Sequence, residues 1–241
     1  VKEPIPIEPT AHYSMGGIPV TVNAEVLADG KDQLVEGFYA AGECSCVSVH
    51  GANRLGTNSL LEALVYGRRA GKSIVKFLKE HDIYKADLPQ ENVDAAVARM
   101  EALRTNTGDE KVGVLRNELQ DIMMHNVGVF RDADKLKVAL DKVRELQERS
   151  KRIQLDDQGM NFNTDLSEAM ELVNLLHFAD LIVKGALQRE ESRGAQFRTD
   201  FPNRDDETWL KHTLAYKQDG QITFDFKPVV ITKFQPQERK Y

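Results

Sequence analysis

Three short segments near the start of the sequence place ionisable side chains directly beside glycines. Residues 12–17 read HYSMGG, residues 42–43 read GE, and residues 50–60 read HGANRLGTNSL. Glycine lets a backbone approach another group closely, because it has no side chain to keep the two apart. These segments therefore indicate a ligand-binding site, and their ionisable side chains are its candidate functional groups.

Arg54 is the candidate best suited to binding an anion. It lies in a polar loop between Gly51 and Gly56, directly before a helix predicted to begin at Asn58. The free N–H groups and the dipole of a helix start favour negative charge, and a guanidinium can hold a carboxylate through two parallel N–H bonds. The pattern favours a carboxylate ligand, with an ordinary loop arginine as the alternative.

His12 and Glu43 are the other two candidates. Glu43 follows a short buried strand predicted over residues 37–42. Ligands of open α/β sheets bind beyond the carboxyl ends of strands, where a carboxylate can accept hydrogen bonds from sugar or ribityl hydroxyls. Residue type alone leaves alternatives open, since His12 could be a satisfied structural histidine and Glu43 an exposed loop residue.

The overall composition limits the classes of partner. The 241 residues include 32 Lys and Arg against 38 Asp and Glu, which gives a net charge of −6. Such a chain has no sequence-independent attraction for nucleic acid or anionic lipid, so we predict no nucleic-acid partner. An anionic ligand needs a local cationic pocket. No apolar run approaches the roughly 20 residues that cross a bilayer.

The two cysteines, Cys44 and Cys46, indicate neither a disulfide nor a metal site. They are one residue apart, a spacing at which a disulfide would be badly strained. They also lack the second pair of ligands that a zinc site needs. We therefore predict reduced cysteines and no metal site.

The hydrophobic pattern predicts short strands followed by long helices. Alternation over residues 18–22 and a turn at Asp29 and Gly30 are typical of a small sheet. From Asn58 apolar residues recur at helical spacing, and Ser59 with Glu62 three residues later predicts a capping box. Further amphipathic helices are predicted over residues 92–105, 112–125, 133–152 and 165–191, and a hairpin over residues 211–216 and 222–227.

In order and spacing, these segments resemble the succinate dehydrogenase/fumarate reductase flavoprotein family. The similarity runs over residues 10–72 and returns at ESRGA, residues 191–195, and DFP, residues 200–202. It implies an α+β, mostly helical fold, made of the C-terminal portion of an FAD-binding domain, a helical-bundle domain and a small C-terminal αβ domain. The implied boundaries are residues 1–12 for the end of a capping domain, 13–78 for the FAD-binding segment, 79–195 for the helical domain and 196–241 for the C-terminal domain.

The resemblance also implies a chemistry, the oxidation of succinate to fumarate with hydride transfer to FAD. Carried over by position, His12 and Arg54 would bind the two carboxylates of the substrate. Glu43 would bind FAD, and Ser59 and Leu60 would contact the flavin at the helix start. The family's electrons pass to an iron-sulfur subunit, which membrane anchor subunits hold at the cytoplasmic side of the inner membrane, so a peripheral location is implied.

Some parts of the family's site are not located in this sequence. In the family the dinucleotide-binding glycines, the flavin-linking histidine and the proton-transferring arginine precede the HYSMGG segment. We therefore expect the chain to be the C-terminal part of a longer subunit, to hold half of an FAD site with no catalytic acid or base, and to be inactive alone. The alternatives are a fumarate reductase, an L-aspartate oxidase, and a non-catalytic fragment that docks a partner subunit.

Overall fold

The first part of the chain forms two small sheets. The structure, a computed structural model, describes residues 12–82, 89–218 and 220–237. Strand β1 (Ile18–Pro19) pairs in parallel with β4 (Ser45–Cys46), and β2 (Glu25–Leu27) pairs antiparallel with β3 (Leu34–Tyr39). The predicted turn at Asp29 is confirmed, because its Oδ1 accepts hydrogen bonds from the backbone N–H groups of Lys31 and Gln33. The strand expected to end at residue 42 ends at Tyr39.

Helix α1 (Asn58–Glu80) begins where the sequence predicted, but its start is not a capping box. Thr57 is the N-cap residue, in a left-handed conformation with a φ of 68° and no side-chain cap. Glu62 is buried and turns toward Tyr13 and His50 instead of reaching back to the helix start. The capping-box prediction is therefore wrong, because this carboxylate is hydrogen-bonded to Tyr13 and His50 in a buried network.

Four further helices follow the predicted pattern within a few residues. They are α2 (Gln90–Arg104), α3 (Val112–Val127), α4 (Ala133–Ser150) and α5 (Thr164–Gln188). Helices α3, α4 and α5 enclose a core of fully buried aliphatic side chains that includes Leu115, Leu146 and Leu172. Asp132 and Asn163 cap the starts of α4 and α5 by accepting a backbone N–H, and these caps set where each helix begins.

The final part of the chain packs against the end of helix α5. It contains β6 (Phe197–Arg198), which pairs in parallel with β5 (Phe130–Arg131), the short helix α6 (Asp206–Trp209), and the hairpin of β7 (Lys211–Gln218) and β8 (Gln221–Pro228). Buried Arg198 donates to the carbonyls of Ala186, Leu187 and Arg189. The hairpin prediction is confirmed in both strands.

The fold is α+β and mostly helical, as the sequence predicted. The domain boundaries stay a prediction, and the proposed capping-domain end falls outside the described residues except for His12. Within the described ranges, no helix combines the length and the apolar character needed to span a bilayer. Cys44 and Cys46 are both free.

An ion-pair network joins helices α3 and α4. Arg149 donates to Glu118 at 2.7 and 2.9 Å and to Glu110 at 2.7 Å, and Lys142 lies 2.7 Å from Glu118. Hydrogen bonds from Arg149 and then from Lys142 lower the pKa of Glu118 to about 2. Ionised Glu118 is therefore stabilised in the folded state relative to the unfolded chain.

We expect Glu118→Gln to destabilise the protein at neutral pH and much less in acid. The folded pKa is depressed, so the stabilisation is present above the ordinary carboxyl pKa of 4.5 and is lost as the pH falls toward about 2. Denaturant unfolding followed by circular dichroism across this range measures the difference. Glu148→Gln is the control, because its ion pair with Lys151 is exposed. An equal effect of Glu118→Gln at every pH would contradict the prediction.

Candidate functional site

The parallel pairing of β1 with β4 brings two of the three glycine segments together. Ile18 donates its backbone N–H to Cys44 at 2.9 Å, and Ser14 donates its backbone N–H to Glu43 Oε1 at 3.2 Å. Gly17 has a φ of +129°, and a Cβ there would lie 2.5 Å from the Cys44 carbonyl oxygen. Only glycine fits this crossing, so the HYSMGG and GE segments form one structural unit.

A buried carboxylate connects the third segment to this unit. Glu62 on helix α1 is 4% exposed, and its Oε2 lies 2.6 Å from His50 Nε2 and 2.9 Å from the Tyr13 hydroxyl. The Tyr13 hydroxyl donates to the carboxylate, and His50 Nε2 donates when Glu62 is ionised. The rings of Tyr13 and His50 meet edge to face at 5.4 Å. The three side chains hold residues 12–17, the 50–56 loop and α1 in fixed relative positions.

The ionisation of Tyr13 reflects this environment. Burial raises the pKa of Tyr13 to about 12, and the hydrogen bond to Glu62 and the charge of Glu62 act in the same direction. The tyrosine hydroxyl therefore remains a hydrogen-bond donor throughout the physiological pH range.

Arg54 lies over the face of the Tyr13 ring. Its guanidinium carbon is 4.7 Å from the ring centroid, a cation–π distance, and its Nη1 donates to the Leu55 carbonyl at 3.4 Å. Its Nε is buried and has no hydrogen-bond partner within the described residues. An unpartnered guanidinium N–H group carries a desolvation cost that an anionic ligand would remove.

The remaining candidates differ in exposure. His12 is exposed and adjoins Tyr13, and Glu43 is exposed beside Ser14. Ser59 is half-buried in the first turn of helix α1, and the Leu60 side chain is 69% exposed. The three segments thus meet at the start of this helix, where no acidic residue occupies the first turn.

The start of helix α1 offers the apolar surface and the hydrogen-bond donors that a flavin nucleotide requires. The first turns of helix α1 carry exposed apolar side chains suited to an aromatic ring, namely Leu60, Leu61, Leu64 and Val65. The helix start has no side-chain cap and so favours electron-rich ligand atoms. His50 Nδ1 is buried and has no partner in the described part of the chain. No group of three or more His, Cys, Asp or Glu suited to a metal ion occurs among the described residues.

Sequence reasoning missed the residues that assemble the site. The sequence motif contains Tyr13 and His50 without indicating a role for either, and it predicts a helix cap for Glu62. A charged residue in an otherwise apolar helix turn was the one available signal, since a carboxylate in such a position is buried only when it is paired.

Comparisons with known proteins identify the family that this chain matches. The family described as "Fumarate reductase flavoprotein C-term" matches residues 116–241, and that described as "FAD binding domain" matches residues 1–60. The chain is 44% identical, over 99% of its length, to the succinate dehydrogenase flavoprotein subunit of Coxiella burnetii. It is 42% identical, over 100% of its length, to the fumarate reductase flavoprotein subunit of Haemophilus influenzae. The chain spans 41% and 39% of these two relatives.

Solved structures match over nearly the same extent. A variant of E. coli quinol fumarate reductase matches with a TM-score of 0.88 at 37% identity, covering 99% of this chain and 40% of that chain. A quinol-fumarate reductase with menaquinol molecules matches with a TM-score of 0.83 at 37% identity, covering 97% of this chain and 40% of that chain.

We expect Glu62→Gln to lower the pKa of Tyr13 from about 12 by only part of its shift, because the negative charge beside the hydroxyl disappears while the burial, which is the largest cause, remains. Tyrosine labelled with 13C at Cζ reports each ionisation by NMR, and Tyr13→Phe identifies the resonance. Glu43→Gln should produce a smaller fall, since Glu43 acts on Tyr13 only through its charge. An unchanged Tyr13 titration in Glu62→Gln would contradict the network.

Proposed function

Because this chain belongs to the succinate dehydrogenase/fumarate reductase flavoprotein family, we propose that it forms the dicarboxylate-binding side of an FAD-dependent enzyme that oxidises succinate to fumarate. The observation that carries the proposal is Arg54, held over Tyr13 with a buried, unpartnered Nε. When bound, FAD supplies the hydride acceptor. The residues of this chain bind and orient the substrate.

Arg54 and His12 bind the carboxylates of succinate in this proposal. The Tyr13 ring lies against the Arg54 guanidinium and limits its rotation, and the planar fork of N–H donors matches the geometry of a carboxylate. His12 is exposed next to Tyr13, where its imidazole can donate to the second carboxylate. Fixing both carboxylates orients the central carbons of the dicarboxylate, which is a large part of catalysis by positioning.

Glu43, Ser59 and Leu60 contribute to the FAD site. One oxygen of Glu43 already accepts the Ser14 N–H, which orients the carboxylate and leaves its other oxygen for hydroxyl groups of the cofactor. Ser59 and Leu60 lie in the uncapped first turn of helix α1. The positive end of the helix dipole there would stabilise negative charge that develops on reduction. We assign no proton donor or acceptor to this chain.

The direction of the reaction and the partners are further parts of the proposal. Relatives named for succinate oxidation and for fumarate reduction match almost equally, at 44% and 42% identity, so fumarate reduction is the first alternative. We further propose an iron-sulfur partner subunit and membrane anchor subunits, with this subunit peripheral on the cytoplasmic side of the inner membrane. The structural relatives named as quinol fumarate reductases support partner subunits in general. An L-aspartate oxidase would act on an amino dicarboxylate, and a docking fragment would bind no flavin; substrate tests and flavin absorbance separate both from the main proposal.

In the complete flavoprotein, Arg54→Lys should lower kcat/KM for succinate about 100-fold, or about 3 kcal/mol, with FAD retained. Lysine keeps the charge but loses the bidentate fork and the planar contact with Tyr13. His12→Ala should also lower kcat/KM without loss of FAD. The control is Arg68→Lys, an exposed substitution in helix α1. Normal succinate turnover by Arg54→Lys would remove Arg54 from the substrate site.

Ser59→Asp should lower the flavin reduction potential, because it adds a negative charge at the helix start beside the proposed flavin position. Helix stability should change little, since an acidic residue in the first turn suits the dipole. A redox titration beside a thermal melt measures both effects, with Ser59→Ala as the uncharged control. A shifted melting temperature with an unmoved potential would show that this helix start does not face the flavin.

A further inference from the structure

A fully buried carboxylate fixes the loop that follows helix α5. Glu191 is 0% exposed, and its Oε1 accepts from Arg189 at 2.6 Å and from Arg193 at 2.7 Å. Its Oε2 accepts from Arg193 at 3.0 Å and from the Asp205 backbone N–H at 3.0 Å. A buried ion pair with all its hydrogen bonds made holds its backbone in one arrangement.

The same loop is anchored on the helical part of the chain. The Gln196 side chain donates to the carbonyls of Ala186 and Arg189, at 3.3 and 3.0 Å, and accepts from Arg131 at 3.1 Å. The Arg193 N–H donates to the Gln196 carbonyl at 2.9 Å and closes the turn. The 191–196 loop is therefore a rigid projection from the end of helix α5.

This projection touches the loop that carries Arg54. Ala195 donates its backbone N–H to the Ala52 carbonyl at 2.9 Å. Gly194 has a φ of +60°, and a Cβ there would lie 2.2 Å from the Ala52 carbonyl oxygen and 2.4 Å from its carbonyl carbon. No side chain fits between the two backbones, so the contact leaves the 50–56 loop no room to move toward residues 191–196.

The part of the 50–56 loop that follows His50 is weakly restrained by its own contacts. Gly51 and Gly56 flank it, and a Cβ at either glycine would have no neighbour within 4 Å. Its own restraints near Arg54 are weak, with distances of 3.4 Å from Arg54 Nη1 and 3.2 Å from the Asn58 N–H to the Leu55 carbonyl. The Tyr13 ring restrains the Arg54 side chain, and Ala195 restrains the backbone two residues before it.

We propose that Gly194 and Ala195 are positioning residues for dicarboxylate binding. Their contact with Ala52 fixes the backbone position of the 50–56 loop and thereby the position of the Arg54 guanidinium. This inference rests on the proposed function. It assigns a positioning role to a segment that lies about 140 residues from Arg54 in the sequence and contacts the backbone of the loop that carries it.

The test is Gly194→Ala in the complete flavoprotein, with malonate as a non-reacting dicarboxylate probe. The added methyl group displaces the Ala52 carbonyl, so we expect malonate affinity to fall about tenfold or more and the KM for succinate to rise similarly. Flavin content should stay at the wild-type level. Gly220→Ala is the matched control, because Gly220 has a φ of +77° but open space around its Cβ position, so it adds backbone strain alone.

Combining Gly194→Ala with Arg54→Lys tests whether the loop acts through Arg54. If it does, Gly194→Ala should weaken malonate binding much less when Arg54 is already replaced. A lysine lacks the bidentate fork, so its exact position contributes little to malonate affinity. Additive effects, or unchanged malonate affinity in Gly194→Ala with only a lower melting temperature, would overturn the inference.

Hydrogen exchange in the wild-type protein covers the case in which Gly194→Ala does not fold. Malonate should slow exchange of the Ala195 amide, because the coupling between the loop and the bound ligand is reciprocal. Amides in the middle of helix α4 should be unaffected. Malonate binding without slower exchange at Ala195 would overturn this inference alone. A wild-type protein that binds no dicarboxylate would overturn the proposed function and the inference with it.

Discussion

The buried carboxylate of Glu62 is the interaction on which the candidate site depends. It joins helix α1 to Tyr13 and His50, which belong to two segments that are far apart in the sequence. A carboxylate that is only 4% exposed is tolerated because both of its neighbours donate hydrogen bonds to it. Among the described residues, the Tyr13–Glu62 hydrogen bond is the polar contact that fixes helix α1 against the 12–17 segment. The placement of Arg54 over Tyr13 follows from the same network.

Close backbone approaches do the rest of the positioning. Gly17 crosses the Cys44 carbonyl, and Gly194 crosses the Ala52 carbonyl, so each of the two loops that carry candidate residues is supported by a neighbouring backbone. Side chains could not replace these contacts without pushing the loops apart. The polar site is thus built on backbone geometry, and its ionisable side chains are presented from loops with little freedom to shift.

The sequence predicted the helical part of the fold well, because apolar residues at helical spacing in helices α3, α4 and α5 face a single buried core. The motif resemblance is confirmed by family matches that cover residues 1–60 and 116–241. The role of Glu62 was not predictable, since a serine and a glutamate three residues apart satisfy the capping pattern equally well. Its true partners, Tyr13 and His50, depend on how distant segments meet, and no local pattern encodes that meeting. The assigned roles of His12, Glu43, Arg54, Ser59 and Leu60 remain predictions.

The buried guanidinium of Arg198 gives the end of helix α5 an unusual dependence on residues that come later in the chain. The last turn of this helix contains no basic residue of its own, and Arg198 supplies the positive charge by donating to three of its terminal carbonyls while Asp200 holds the guanidinium from the other side. We therefore expect the helix terminus and residues 197–200 to open to solvent together, because opening of either one breaks the same hydrogen bonds. Protection of the last helical turn against local unfolding therefore depends on a strand that follows the helix in the sequence and is synthesised after it.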